Sequence, residues 1–125
     1  MKNEIYKHLK FKIGEGSYDR EFDIIPIPPF EIIENGLSLE PYEYFGEIDD
    51  ILGFKPSQII LYYNADILMR VKVFYRGDIT KQLIHKLESL KVNLPKELTL
   101  QLSFDYEGNL TLLLHQNKIL TKNTN

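Results

Sequence analysis

Residues 58–76 read QIILYYNADILMRVKVFYR and predict a β-hairpin at the centre of the fold. The first run, residues 58–63, is apolar on both faces, which is typical of a central strand that is covered on both sides. Asn64-Ala65-Asp66 follows with residues that favour a turn. The return run then alternates as a strand does, with Met69, Val71, Val73 and Tyr75 on one face and Arg70, Lys72, Phe74 and Arg76 on the other.

The sequence after this hairpin predicts a helix and another hairpin. Asp78 can cap a helix that runs to about Leu90, because a carboxylate accepts from the free N–H groups of the first turn. The apolar stripe of this helix is Ile79, Leu83, Leu87 and Leu90. Beyond Pro95, alternating leucines predict strands over 98–104 and 110–114, joined by a turn over 105–109.

The sequence before the central hairpin predicts a third hairpin at the N-terminus. Ile5, Leu9, Phe11 and Ile13 recur with the period of a half-buried strand, and a second strand carries Phe22 and Ile24 inward. Pairing of Ile13 with Arg20 would set Phe11 opposite Phe22, Lys12 opposite Glu21 and Lys10 opposite Asp23. Pro26, Pro28 and Pro29 then stop regular pairing, since proline cannot donate to a ladder.

A helix is predicted from about Leu39 to Leu52. Ser38 is a suitable N-cap, Pro41 is tolerated in the first turn, and Gly53 supplies the stop after the last turn. The elements then follow the order ββαββαββ. We therefore expect an α+β fold of two layers, in which an antiparallel sheet of about six strands, built from three hairpins, carries two helices on one face.

Length and composition favour one soluble globular domain. The chain has 125 residues, of which 43% are hydrophobic and 26% charged, and a domain usually has roughly 100–200 residues. We expect a single domain over 1–120 and a frayed polar tail over 121–125. The absence of cysteine excludes disulfides and thiolate metal sites, and no secretory signal or spanning segment is visible, so a cytoplasmic protein is expected.

The charge distribution is the most informative feature for function. Residues 13–54 carry eleven acids and one base, a local balance of −10, whereas the rest of the chain carries seven acids and fourteen bases. This asymmetry predicts either that the two parts neutralise each other in the fold or that an acidic surface faces a basic partner. The eleven acids are Glu15, Asp19, Glu21, Asp23, Glu31, Glu34, Glu40, Glu43, Glu47, Asp49 and Asp50.

The predicted helix over residues 39–52 concentrates these acids. Like charges at i and i+4 repel and cost roughly 0.2–0.5 kcal/mol, so a helix selected for stability alone would not carry this stripe. Interleaved tyrosines are typical anchors at protein interfaces. The candidate partner-binding residues are therefore Glu40, Tyr42, Glu43, Tyr44, Glu47, Asp49 and Asp50. In the alternative interpretation, Arg70, Lys72 and Arg76 neutralise this stripe.

No motif with catalytic spacing is present. His8, His85 and His115 are scattered and are expected to be solvent-directed, and no serine lies in a nucleophile elbow. We therefore predict no catalytic, cofactor-binding or metal-binding residue and no enzyme activity. The basic strand face, residues 70–76, could contact phosphates, but the sequence pI near 5.6 opposes nucleic-acid binding as a main role.

These features predict a small non-catalytic binding protein, present as a monomer or weak homodimer. Toxins that cleave nucleic acids are basic at their active sites, and carboxylates placed there would steer an inhibitor to the site. In general character the chain resembles a bacterial immunity protein that inhibits a nuclease-like toxin. The alternatives are a secretion chaperone or assembly subunit that binds an extended partner, and a small enzyme with a carboxylate and histidine site.

Overall fold

The computed structural model describes residues 4–117, which form a mainly antiparallel sheet with two helices. The predicted tail over 121–125 lies outside the described residues. Helix α1 is short, and a 3₁₀ turn over Ser17–Arg20 precedes the first strand. In chain order the elements are α1 (Ile5–Leu9), β1 (Ile24–Pro26), β2 (Ile32–Glu34), β3 (Leu37–Tyr44), β4 (Gln58–Asn64), β5 (Ile67–Tyr75), α2 (Thr80–Leu90), β6 (Leu98–Phe104) and β7 (Leu110–Gln116).

Within the described residues the sheet has seven strands in the order β1-β3-β4-β5-β7-β6, and β2 pairs with β3 outside this path. All these pairings are antiparallel. The α+β class is therefore confirmed, together with the central hairpin β4–β5, helix α2 and the hairpin β6–β7. The strand count and the element order differ from the predicted ββαββαββ.

One face of the sheet carries the main core, which both helices cover. Leu61, Val71 and Leu112 come from β4, β5 and β7, and they pack against Leu9 of α1 and Leu83 of α2. Asp78 accepts from the Thr80 N–H at 3.0 Å, but Ile79 holds the N-cap position of α2, so the predicted cap lies one residue too early. The expected apolar alternation of β5 is broken by a register shift between Tyr62 and Tyr63.

The register shift moves Met69 to the other face of the sheet. Leu68 enters the main core, whereas Met69 packs with Leu39 and Tyr62 in a smaller cluster on the second face. The prediction that Met69 shares a face with Val71, Val73 and Tyr75 is therefore wrong, although Met69 is buried. An extra residue in one strand of an antiparallel pair shifts the alternation in this way.

The predicted N-terminal hairpin is wrong. Residues 5–9 form helix α1, and Ile5 and Leu9 are both buried because a spacing of four places them on one helix face as well as on one strand face. Lys7, which the strand pattern would have placed inward, is exposed. Phe22 is 85% exposed, and Phe11 instead packs edge-on against the ring of Tyr44.

The predicted helix over residues 39–52 is also wrong. Residues 37–44 form β3, which pairs with β4 through Glu40↔Tyr63 and Tyr42↔Leu61. The segment after β3 is irregular as far as β4. Aromatic residues at alternate positions favour a strand, and the repulsion among the acids disfavours the helix.

Candidate functional site

Two loops meet beside the end of β1 and β3. The Phe45 N–H donates to the carbonyl of Asp23 at 2.8 Å, which joins the loop over residues 17–23 to the loop over residues 45–50. The Tyr44 hydroxyl accepts from the Ile48 N–H at 3.2 Å. Gly46 packs so closely on the Tyr44 ring that any Cβ would overlap it. The second loop is therefore held against β3 by Tyr44.

Three further contacts fix the chain that follows this loop. The Tyr75 hydroxyl donates to the carbonyl of Ile51 at 2.9 Å, and Ile51 itself is fully buried. The Asp50 carboxylate accepts from the Gly53 N–H at 2.9 Å, and the Lys10 ammonium donates to the Asp50 carbonyl at 2.7 Å. The core thus positions the loop while its acidic side chains remain free to face solvent.

We define the acidic surface as the exposed acids and aromatic residues of these two loops. The aromatic rings are unusually open, with exposed fractions of 77% for Tyr18, 85% for Phe22 and 61% for Phe45. Aromatic residues are enriched at protein-binding surfaces, where their rings are buried on contact. The members of the acidic surface are Tyr18, Asp19, Glu21, Phe22, Phe45, Glu47, Asp49 and Asp50.

Arg20, the single base of the acid-rich segment, is engaged inside the fold. It pairs with Glu15 at 3.1 Å and donates to the Lys10 carbonyl at 2.9 Å. Its guanidinium also lies 4.5 Å from the centre of the Phe11 ring and 5.9 Å from that of Tyr44. Only 19% of its side chain is exposed. Arg20 therefore holds the first loop against the core instead of neutralising the acidic surface.

Ion pairing accounts for few of the acids of the acid-rich segment. Among residues 4–117, only Glu15 and Glu34 of that segment form ion pairs, with Arg20 and Arg70 respectively. The alternative interpretation, in which Arg70, Lys72 and Arg76 neutralise the acids of residues 40–50, requires pairs that the described part of the chain does not contain. Within residues 4–117 the carboxylates of the acidic surface have no counter-ion, and of them only that of Asp50 accepts a hydrogen bond, from the Gly53 N–H.

The structure brings together only some of the predicted partner-binding residues. Glu47, Asp49 and Asp50 are exposed in one loop, but Glu40 and Glu43 lie on opposite faces of β3, so the predicted single stripe does not form. The two tyrosines are not exposed anchors. Tyr44 is 8% exposed in the core, and Tyr42 packs edge-on against Tyr63.

Tyr18, Phe22 and Phe45 were not recognised as surface residues from the sequence. The N-terminal hairpin prediction placed Phe22 inward, and the predicted helix over residues 39–52 included Phe45. A signal was nevertheless present, because Asp19 and Glu21 lie between Tyr18 and Phe22, and Glu47 follows Phe45 closely.

A second polar cluster lies on the face of the sheet away from the helices. Arg70 of β5 makes two hydrogen bonds to the carboxylate of Glu34, and its Nε donates to Nδ1 of His115 at 3.2 Å. Arg70 is 6% and His115 2% exposed, so the prediction that His115 faces solvent is wrong. His85, by contrast, is exposed on α2 as predicted.

The electrostatics of this cluster keep His115 neutral. Burial lowers the pKa of His115 from its usual 6.5 to about 4, and the charges of Arg70 and Lys72 act in the same direction against the opposing effect of Glu34. Burial also lowers the pKa of Lys72. A ring that solvent barely reaches is poorly placed to transfer protons to a substrate, so this cluster does not favour the enzyme alternative.

Over residues 4–117, no group of three or more His, Asp or Glu side chains is arranged to hold a metal ion. No helix in this part of the chain has the length and apolar character needed to cross a membrane. Comparisons of the chain with protein-family models, with curated proteins and with solved structures find no match.

Proposed function

We propose that this chain is a non-catalytic binding protein that holds a basic protein partner on its acidic surface. The observation that carries the proposal is the union of exposed carboxylates and exposed aromatic rings on two loops that the core fixes in place. The partner class that suits this role best is a nuclease-like toxin, and the chain then acts as its immunity protein in the cytoplasm.

Charge supports a basic partner. The acid-rich segment has a local balance of −10, and its one base is already engaged with Glu15. Carboxylates that lack an internal counter-ion attract a positively charged surface and raise the rate of encounter. An enzyme that cleaves nucleic acids must present such a surface to bind phosphates.

The aromatic residues of the acidic surface can supply slow dissociation, which charge alone does not provide. Charges at the rim of an interface set the association rate and the specificity more than the affinity, whereas buried aromatic anchors slow dissociation. Phe22 and Phe45, on neighbouring loops, are suited to this second role. Binding over the active site of the partner would block it sterically, with no chemistry performed by this chain.

A charge-reversal experiment tests the proposal. Glu47→Lys and Asp49→Lys together reverse two exposed charges that make no hydrogen bond within the described residues, so the fold should be kept. Glu88→Lys with Glu97→Lys makes the same change in net charge at exposed positions away from the acidic surface. The probe is the purified product of the neighbouring gene, since immunity and toxin genes are normally adjacent.

Titration calorimetry then measures the affinity for the probe, and a nuclease assay measures its inhibition. We expect the wild type and the control variant to bind and inhibit equally, and the Glu47 and Asp49 variant to lose affinity by at least about tenfold. Two results would overturn the proposal: no binding of the probe by the wild-type protein, or an equal affinity of both double variants.

A further inference from the structure

Strand β6 forms one edge of the sheet and leaves alternate backbone groups unpaired. The Asn117 N–H donates to the Glu97 carbonyl at 2.9 Å, and the Asp105 N–H donates to the Asn109 carbonyl at 3.0 Å. The backbone N–H and C=O groups of the odd-numbered residues of β6 therefore point toward β7. The N–H groups of Leu100, Leu102 and Phe104 therefore point away from the sheet. They have no backbone partner among the described residues.

The two edges of the sheet differ sharply in how they are protected. At the opposite edge β1 has three residues and ends at Pro26, where pairing stops. Strand β6 has seven residues, contains no proline or charged residue, and pairs with β7 without a register shift. Proteins usually shorten, charge or bend an edge strand to prevent another strand from pairing with it, and β6 has none of these features.

We propose that the β6 edge binds a second copy of this chain, forming a two-fold dimer with one continuous sheet. Antiparallel self-pairing that uses the whole strand sets Gln101 opposite its counterpart, Leu100 opposite Leu102 and Leu98 opposite Phe104. In this register the outward-facing N–H and C=O groups of Leu100 meet those of Leu102 in the other copy, and the Phe104 N–H meets the Leu98 carbonyl. The Leu98 N–H stays bonded to the Pro95 carbonyl at 3.1 Å. Gln101 then forms a pair without backbone hydrogen bonds at the symmetry axis.

The side chains of β6 suit a second copy. Leu98, Leu100 and Leu102 lie on the core face, and Phe104 on the same face is 53% exposed. With a two-fold axis perpendicular to the sheet, the apolar side chains of one copy lie beside the apolar side chains of the other. The polar side chains of Thr99, Gln101 and Ser103 lie beside their counterparts on the opposite face. Strand β6 carries no charged residue, so no like charges face each other along its length; in this register the flanking Glu97 and Asp105 lie opposite each other at its two ends.

The surroundings of β6 on the helix side add apolar surface to the edge. A cleft of about 310 Å³ beside the strand is lined by Ile5, Leu87, Val92, Leu94 and Leu100, together with Glu88 and Lys91. Leu94 is 40% exposed there. In the dimer, Phe104 of one copy lies opposite Leu98 of the other, and this contact would remove the Phe104 ring from water. The acidic surface lies at the other edge and stays open.

The mass of the protein in solution tests the dimer. Sedimentation equilibrium on the full chain, from micromolar concentrations upward, should give twice the chain mass of 14.7 kDa. Gln101→Lys sets two ammonium groups against each other at the axis and should raise the dissociation constant by about tenfold or more. Gln82→Lys, at an exposed position on α2, is the matched control and should leave the dissociation constant of the dimer unchanged.

A cross-link tests the register. The chain has no cysteine, so one introduced cysteine can form a disulfide only between copies. Residues opposite each other without backbone hydrogen bonds are about 4.5 Å apart at Cα, which a disulfide can span. Gln101→Cys should therefore give a covalent dimer under mild oxidation, and Ser103→Cys should give far less. A monomeric wild type, or a dimer that Gln101→Lys leaves intact and Gln101→Cys does not cross-link, would overturn the proposal.

Discussion

On the second face of the sheet, Glu34 and His115 stabilise the buried side chain of Arg70. Arg70 is buried, and the carboxylate of Glu34 supplies its counter-charge from the β2–β3 hairpin. Nδ1 of His115 accepts from Arg70, so the proton of the neutral ring is on Nε2. Nε2 is buried and has no partner among the described residues. Protonation of His115 would therefore place a second cation beside Arg70.

Stability should consequently fall as the pH is lowered. The pKa of His115 is about 4 in the folded protein and near 6.5 when the chain is unfolded, so below pH 6.5 the unfolded chain binds the proton first. The stability that neutral His115 provides is complete above pH 6.5 and is lost as the pH falls towards 4. Between pH 7 and pH 5 the loss should be on the order of 1–2 kcal/mol in urea unfolding.

The matched variants for this experiment are His115→Asn and His85→Asn. Asparagine at position 115 keeps an acceptor for Arg70 but does not titrate, so the loss of stability between pH 7 and pH 5 should shrink. His85 is exposed, and its replacement should leave the pH dependence as in the wild type. An unchanged pH dependence in the His115 variant would contradict the assignment.

At the scale of elements, the sequence predicted the structure correctly where two signals agreed. In β4–β5 and β6–β7 the alternation and the turn residues both indicated a hairpin, and in α2 the apolar stripe agreed with Asp78 as a signal for a helix start. The prediction for residues 5–9 was wrong because Ile5 and Leu9 share a face in a helix and in a strand alike. The hairpin β2–β3 was missed although Asn35-Gly36 stands between two apolar runs, which is a strong hairpin signal.

The turn of this hairpin provides a test of the element. Asn35 and Gly36 both have positive φ, 52° and 79°, and a Cβ at Gly36 would meet no atom within 4 Å. Gly36→Ala should therefore cost about 1–2 kcal/mol through backbone strain alone. Gly16→Ala, at a φ of −83°, should change the free energy of unfolding by less than about 0.5 kcal/mol. Equal effects in chemical denaturation would show that the turn is not formed as described.

At the scale of the whole molecule, the acidic surface is assembled from two loops that are distant in sequence. The acid-rich segment is evident from residue counts alone, and Glu47, Asp49 and Asp50 of that segment are exposed. The geometry could not be predicted, because it depends on the backbone contact between Asp23 and Phe45 and on the burial of Tyr44. Such long-range contacts leave no local periodicity in the sequence.

If the acidic surface attracts and binds a basic protein, the rate of their association must fall steeply as salt is added. The association rate constant of the neighbouring gene product would be measured by stopped-flow fluorescence from about 0.05 to 0.5 M salt, a range over which screening shortens the reach of charge several-fold. For the wild type and for the Glu88→Lys, Glu97→Lys variant we expect a steep fall, about tenfold or more. For the Glu47→Lys, Asp49→Lys variant we expect a slower rate at low salt and a much shallower slope. The same steep slope in all three proteins would contradict the claim, because the attraction would then come from charges outside the acidic surface.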